Sequence, residues 1–181
     1  MPFSGVDIWN GYELSWLNEH YIKTTAPEEL AMHLEPFLIR SGILEEGHGL
    51  DFADIAKVIP SLNQRAKTLV EMAEKSAFYF KKEVEFDEKA KTKFLTAEAR
   101  PLLEKVIGGL SQLENFSAEE IENLFKKIVE EEGTKLGKLA QPVRVALTGT
   151  TVSPGIYDVI LLLGREQTLA RLKNGLQVAP N

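Results

Sequence analysis

The chain has 181 residues, 44% hydrophobic and 27% charged, with a formal net charge of −6. That length buries a real core in one domain or two small ones, and the acidic balance argues against a broad, nonspecific grip on nucleic acid. Cysteine is absent, which excludes a disulfide framework and a thiolate metal site.

No apolar run approaches the roughly 20 residues that span a bilayer, and no basic stretch leads into a hydrophobic core as in a signal peptide. The expectation is a cytoplasmic protein. Residues 1–7 form a ragged start. Asn10, with Glu13 three residues on, predicts a capping box and a first helix. Its narrow apolar face is Leu14, Leu17 and Tyr21, widened by Trp16. Thr25 and Glu28 repeat the box and open a second helix through Leu30, Leu34, Phe37 and Leu38, with Gly42 as its stop. Pro36 inside that pattern predicts a kink or a division into two pieces.

Residues 41–49 form a loop that holds His48 between two glycines, solvated and without partners. His20 and His33 are equally isolated, and no His/Asp/Glu spacing suits a metal site. A short helix over residues 50–58 ends at Pro60. Ser61 then caps a helix with the stripe Leu62, Ala66, Leu69, Val70 and Ala73. Arg65 lies about 60° from that stripe's centre, so its stem is buried and its guanidinium emerges at the boundary. Phe78, Tyr79 and Phe80 belong to a core or an interface.

Residues 81–87 are a charged connector with no periodicity, and a boundary there divides the chain into subdomains 1–86 and 87–181. Asp87 begins a helix over residues 88–94, followed by one ending near Leu113 with Leu103, Val106, Ile107 and Leu110 inward. Ser117 and Glu120 form a further capping box, leading into Ile121, Leu124, Phe125, Ile128 and Val129. Glu130, Glu131 and Glu132 close that helix against its macrodipole, at a cost of about a few tenths of a kcal/mol each. Lys126 and Lys127 offset this at i,i+4. A last helix over residues 166–174 stops at Gly175, and residues 177–181 fray. No segment alternates with period 2, so the fold is all-α.

The charge is uneven. From residue 133 onward Lys135, Lys138, Arg144, Arg165, Arg171 and Lys173 face only Asp158 and Glu166, a tail of +4 that leaves −10 on residues 1–132. A polyanion would meet that tail. Within it, Leu136, Leu139, Ala140, Val143 and Leu147 recur at helical spacing, as do Ile156, Val159, Ile160 and Leu163. Between these helices lies a polar hairpin, residues 148–156. Gly149 suits a helix end, Ser153 an N-cap and Pro154 a first helical position. Arg144 stands about 80° from the centre of the first stripe. The hairpin is thus rigid, exposed and beside a positive charge. Taken alone, Arg144 and Arg65 are each a solvated salt-bridge partner.

No glycine-rich phosphate loop follows a strand, and no nucleophile has a recognisable base and orienter. The residues describe a binding module rather than a catalyst. The alternative to nucleic-acid recognition is a helical protein–protein interaction module whose +4 face meets an acidic partner.

Residues 136–149, then Ser153-Pro154-Gly155-Ile156, then Leu162-Leu163-Gly164-Arg165-Glu166 and Leu169-Ala170-Arg171-Leu172, resemble the C-terminal end of bacterial glutamyl-tRNA synthetases. Leu14-Ser15-Trp16-Leu17-Asn18 with Tyr21-Ile22 resembles the entry into the same region, so the similarity runs from about Trp9 to Leu176. The resemblance implies the anticodon-binding part of a class I synthetase, an all-helical body of two subdomains. The two ATP-site signatures of the family's catalytic domain are absent. The chain is therefore expected to be a fragment, a monomer that does not aminoacylate alone and holds no cofactor. ATP and Mg would be used by the parent's catalytic domain, a partner in cis.

The same resemblance implies that the chain binds the anticodon loop of glutamate tRNA. Thr148, Ser153, Pro154, Gly155 and Ile156, with Arg144, would hold the first two anticodon bases, the hairpin backbone bonding base edges. Arg65 would inspect the third. A guanidinium only donates hydrogen bonds. The cytosine of a glutamate anticodon offers it acceptors, while the guanine of a glutamine anticodon presents mainly donors on the facing edge. An unpaired, desolvated donor costs roughly 1–3 kcal/mol, so Arg65 would separate glutamate from glutamine tRNA.

Overall fold

The computed structural model describes residues 11–180, with side chains from residue 16 onward. The expected cap at Asn10, the ragged start and Asn181 lie outside the described residues. Among those described there are nine helical segments, a short 3-10 turn and no strand: α1 Gly11–Thr24, α2 Pro27–Arg40, α3 Phe52–Leu62, α4 Leu69–Phe80, α5 Glu88–Phe94, α6 Arg100–Gln112, α7 Ala118–Glu131, α8 Leu136–Thr148 and α9 Ile156–Val178. The last is two helices joined at a kink, since Gly164 has a non-helical φ of 74°, between the two helices expected there. The all-α expectation holds. The chain forms two compact units, Met1–Ala77 and Phe78–Asn181.

In the first unit α2 packs on α3. The pattern explains why: Leu30, Ala31, Leu34 and Leu38 bury one face of α2, and Ile55, Ala56, Val58, Ile59 and Leu62 bury one face of α3. Pro36 does not divide α2, which runs unbroken. The residue is exposed, as is Met32 one turn earlier, so the carbonyl it orphans is left to water. The expected box at Thr25 is absent: Ala26 is the N-cap, without a side-chain bond, and Pro27 occupies the first turn. Of the face expected on α1, Trp16 is 67% and Tyr21 59% exposed and Leu17 is exposed too, while Leu14 lies outside the described side chains; among those described on α1, Ile22 is the buried one.

Two further expectations change in this unit. Ser61 lies inside α3 rather than ahead of a new helix; α3 is capped by Asp51, which accepts from the Asp54 N–H, and continues through Pro60 and Ser61 to Leu62. His48 is not solvated, since its side chain is only 10% exposed and Nε2 lies 3.2 Å from Glu35 Oε1. The Leu50 N–H donates to Nδ1, which places the ring proton on Nε2, facing the carboxylate.

In the second unit α8 packs against α9, and α6 against α7 and α9. Leu103, Val106 and Leu110 of α6, Ile121 and Phe125 of α7, Leu139 and Val143 of α8, and Val159 and Ile160 of α9 are all inaccessible to solvent. Asp87 and Ser117 cap α5 and α7 through bonds from Ala90 and Glu120. The acidic end of α7 is answered from another helix: Lys105 of α6 bonds Glu132 and lies 3.9 Å from Glu131. Lys127 also lies 3.9 Å from Glu131 at the expected i,i+4 spacing, whereas Lys126 pairs with Glu122.

Gly175 does not stop the last helix. A Cβ there would stand 2.6 Å from Ala146 Cβ, so the glycine is a close-approach point between α9 and α8. Nor does the end fray at 177. Arg100 Nη1 donates to the carbonyls of Leu176 and Ala179, at 2.8 and 2.9 Å, and Ala179 is buried. The division expected at 86/87 falls in the connector after α4, whereas the compact units divide inside α4.

Candidate nucleic-acid interface

The hairpin is built from α8 outward. The chain leaves α8 through Gly149 in the left-handed region, φ 76°, where a side chain is strained. A Cβ there would lie 2.1 Å from the Glu85 carbonyl oxygen, and Gly149 O accepts from the Asp87 N–H at 2.9 Å. The connector is thereby stitched to the hairpin's base. Thr148, 6% exposed, lies 2.8 Å from Arg144 O through its hydroxyl, and that hydroxyl oxygen also accepts from the Thr150 N–H. Thr150 Oγ1 donates to Val152 O.

Arg144 closes the other arm. Its Nη1 donates to Ser153 Oγ at 2.6 Å, Pro154 O at 3.0 Å and Ser153 O at 3.2 Å. The arginine is thus part-buried and clamps the hairpin that it stands beside. Ser153 is not the N-cap either. Its hydroxyl is spent on Arg144 and on Pro154 O, and α9 begins later than expected, with Gly155 as a cap that offers no side-chain bond. The first N–H groups of α9 therefore have no capping side chain and favour an acceptor.

Arg144, Thr148, Ser153 and Pro154 are brought together by these bonds, with Gly155 and Ile156 next in line. The side chains of Thr148, Ser153, Pro154 and Ile156 are buried, while Thr150, Thr151, Val152 and Gly155 are exposed. The surface on offer is thus backbone and a small apolar tip. Val152, 77% exposed, is a residue that periodicity passes over, because a loop carries no stripe from which to read its direction. Tyr157 beside the site sets its ring edge-on to Phe125, and burial raises its phenol above the usual range. Arg144→Met should free the Ser153 arm, visible as at least about tenfold faster amide exchange through residues 150–153, since bonds from a charged donor contribute about 1.5–3 kcal/mol.

The basic tail divides by role. Arg171, 3% exposed, donates to Leu147 O, Phe78 O and Lys81 O. Arg165 donates to Leu113 O at 2.6 Å and sits over the Phe116 ring. With Arg144 and Arg100, these guanidiniums saturate carbonyls that helix ends and loops leave without partners. Lys135, Lys138 and Lys173 remain at least partly exposed. Less of the +4 faces water than the sequence suggests.

Arg65 belongs to the first unit. It sits in the turn between α3 and α4 rather than on a helical stripe, because α3 ends at Leu62. Its own N–H bonds Leu62 O. The side chain is exposed, and among the described residues its guanidinium has no hydrogen-bond or ion-pair partner. It is available for an acceptor.

A family model described as an anticodon binding domain matches residues 29–176. A second, for the N-terminal region of nitrile reductase (7-cyano-7-deazaguanine reductase), matches residues 1–43, which includes the Trp16-Leu17-Asn18 stretch. The glutamate–tRNA ligase of Thermodesulfovibrio yellowstonii is 47% identical over 166 residues, 92% of this chain and 36% of that protein. That of Geotalea uraniireducens is 44% identical over 169 residues, 93% and 35% of the two. The chain thus spans about a third of the length of these relatives. A crystal structure of a glutamate tRNA ligase from Elizabethkingia meningosepticum shares the fold, with a TM-score of 0.77 at 24% identity, over 90% of this chain and 31% of that one.

Proposed function

The chain belongs to the anticodon binding domain family, and on that footing we propose that it is the C-terminal anticodon-reading part of a glutamate–tRNA ligase, selecting glutamate tRNA for a catalytic domain in cis. The observation that carries this reading is the pre-bonded hairpin: exposed backbone and an uncapped helix start, held by Arg144 from within. Single-stranded anticodon bases are read in this way, through splayed edges against a rigid surface.

The hairpin's backbone, from Thr148 through Ser153, Pro154, Gly155 and Ile156, bonds the first two anticodon bases. Arg144 shapes that backbone and brings positive charge to it. Arg65 tests the third base from the subdomain of residues 1–86, and residues 87–181 carry the hairpin. ATP and magnesium serve the catalytic domain, so this chain alone neither activates nor transfers glutamate and holds no cofactor. It acts as a monomer in the cytoplasm. With a net charge of −6 its own affinity for RNA is low and salt-sensitive, and contacts made by the catalytic domain supply most of the phosphate grip.

Titrating the chain with glutamate tRNA and with an anticodon variant tests this. Glutamate tRNA should bind more tightly, with the preference lost on changing the anticodon. Binding indifferent to anticodon sequence would favour a helical protein–protein module, and glutamate activation by this chain alone would overturn the non-catalytic reading. Arg65→Gln should narrow the preference for glutamate over glutamine tRNA by roughly 10-fold, the lower part of the 1–3 kcal/mol range for an unpaired buried donor. An unchanged preference removes Arg65 from the reading set.

A further inference from the structure

We propose that Glu71 and Lys75 are positioning residues that fix the Arg65 turn and so set the choice made at the third anticodon base, an inference that rests on the reading role proposed above for Arg65. The turn is held from α4. Lys75 Nζ donates to the Arg65 carbonyl oxygen and pairs with Glu71 at 3.6 Å. Glu71 Oε2 accepts from the Lys67 N–H at 3.0 Å, and the Glu71 N–H donates to Thr68 Oγ1 at 3.1 Å. On the other side, the N–H groups of Arg65 and Ala66 both donate to Leu62 O, and Ala66 is 2% exposed.

Arg65 is thus bonded through both its N–H and its C=O while its guanidinium has no partner among the described residues. Glu71 and Lys75 are themselves 43% and 47% exposed in their side chains. An exposed ion pair of this kind adds little to stability. Here it also bonds two backbone groups of one turn, which limits where an arginine stem can start. A guanidinium that must meet base acceptors within a few tenths of an ångström depends on such support. The Lys67 N–H, and then Lys75, hold the Glu71 carboxyl below the usual carboxylate range, in keeping with a carboxylate that stays charged in this role.

The test is a titration of the full 181-residue chain with two anticodon stem-loops, that of glutamate tRNA and the same loop with guanine as its third base. Lys75→Met and Glu71→Gln should each lower the affinity ratio by about 3- to 10-fold, with the melting temperature held within about 2 °C. Lys75→Arg should restore the ratio to within about twofold, since it keeps a cationic donor. The double variant Arg65→Gln with Lys75→Met should show the ratio of Arg65→Gln alone, because a residue that acts through Arg65 has nothing left to act on. If Arg65→Gln collapses the ratio and neither Lys75→Met nor Glu71→Gln moves it, the positioning role is wrong. It is equally wrong if Lys75→Met lowers the ratio by the same factor with Arg65 already replaced. If Arg65→Gln leaves the ratio unchanged, the Arg65 reading itself fails, and the inference falls with it.

Discussion

Arg171→Met should lower the melting temperature by about 6–20 °C, followed by circular dichroism, the effect of about 3–5 kcal/mol on a chain of this size. The guanidinium is 3% exposed and bonds Leu147 O at 2.7 Å, Phe78 O at 2.7 Å and Lys81 O. Those carbonyls belong to the last turn of α8, the end of α4 and the start of the connector. Methionine fills much of the volume but returns none of the three bonds, one buried and two part-buried, and each hydrogen bond lost from a charged donor costs about 1.5–3 kcal/mol. Lysine keeps the charge yet cannot span three carbonyls from one point, so Arg171→Lys should fall between the two.

Burial pushes the Arg171 pKa down to about 10, so the group remains a cation at neutral pH. The unfolded chain holds that proton more tightly, and this group's contribution to stability therefore rises only as pH climbs through and beyond 10. An unchanged melt on Arg171→Met would show that the three carbonyls find other partners.

Gly149→Ala should cost about 2–4 kcal/mol and weaken binding of glutamate tRNA together with stability. Two penalties combine. The residue has φ 76°, where an L side chain is strained by about 1–2 kcal/mol. Its new methyl would also meet the Glu85 carbonyl oxygen at 2.1 Å, and a backbone atom cannot swing aside as a side-chain tip does. The hairpin base must shift and the Asp87–Gly149 bond must lengthen. A variant that melts lower but binds RNA as before would separate the hairpin's fold from the proposed recognition. Thermal melts and titrations on the same protein decide it.

Proline and serine punctuate helices only when nothing else holds the backbone, and that condition fails at several places in this chain. Ser61 follows Pro60 and invites a cap, yet Asp51 has already set the start of α3 and its apolar stripe carries the helix to Leu62. The shift of one element moved Arg65 from a helix face to an exposed turn. At the hairpin, Ser153 has the composition of a cap, but Arg144 offers its hydroxyl a charged donor at 2.6 Å, and a charged bond outweighs a neutral one. His48 looked solitary because its partner, Glu35, is thirteen residues away.

Local chemistry by itself determined the all-helical class, the buried stripes at Leu103, Val106 and Leu110 or Ile121, Phe125 and Ile128, the caps at Asp87 and Ser117, the turn at Gly149 and the place of the hairpin. These follow from spacing within a few residues, where side-chain direction is dictated by the 3.6-residue turn. Only the tertiary structure decided which cations face solvent. Arg144, Arg165 and Arg171 carry the same formal charge as Lys135, Lys138 and Lys173 in the sequence, but the guanidiniums find carbonyls 9 to 93 residues away. A planar fork of donors reaches helix ends that no local pattern reveals, and the basic tail becomes scaffold as much as surface.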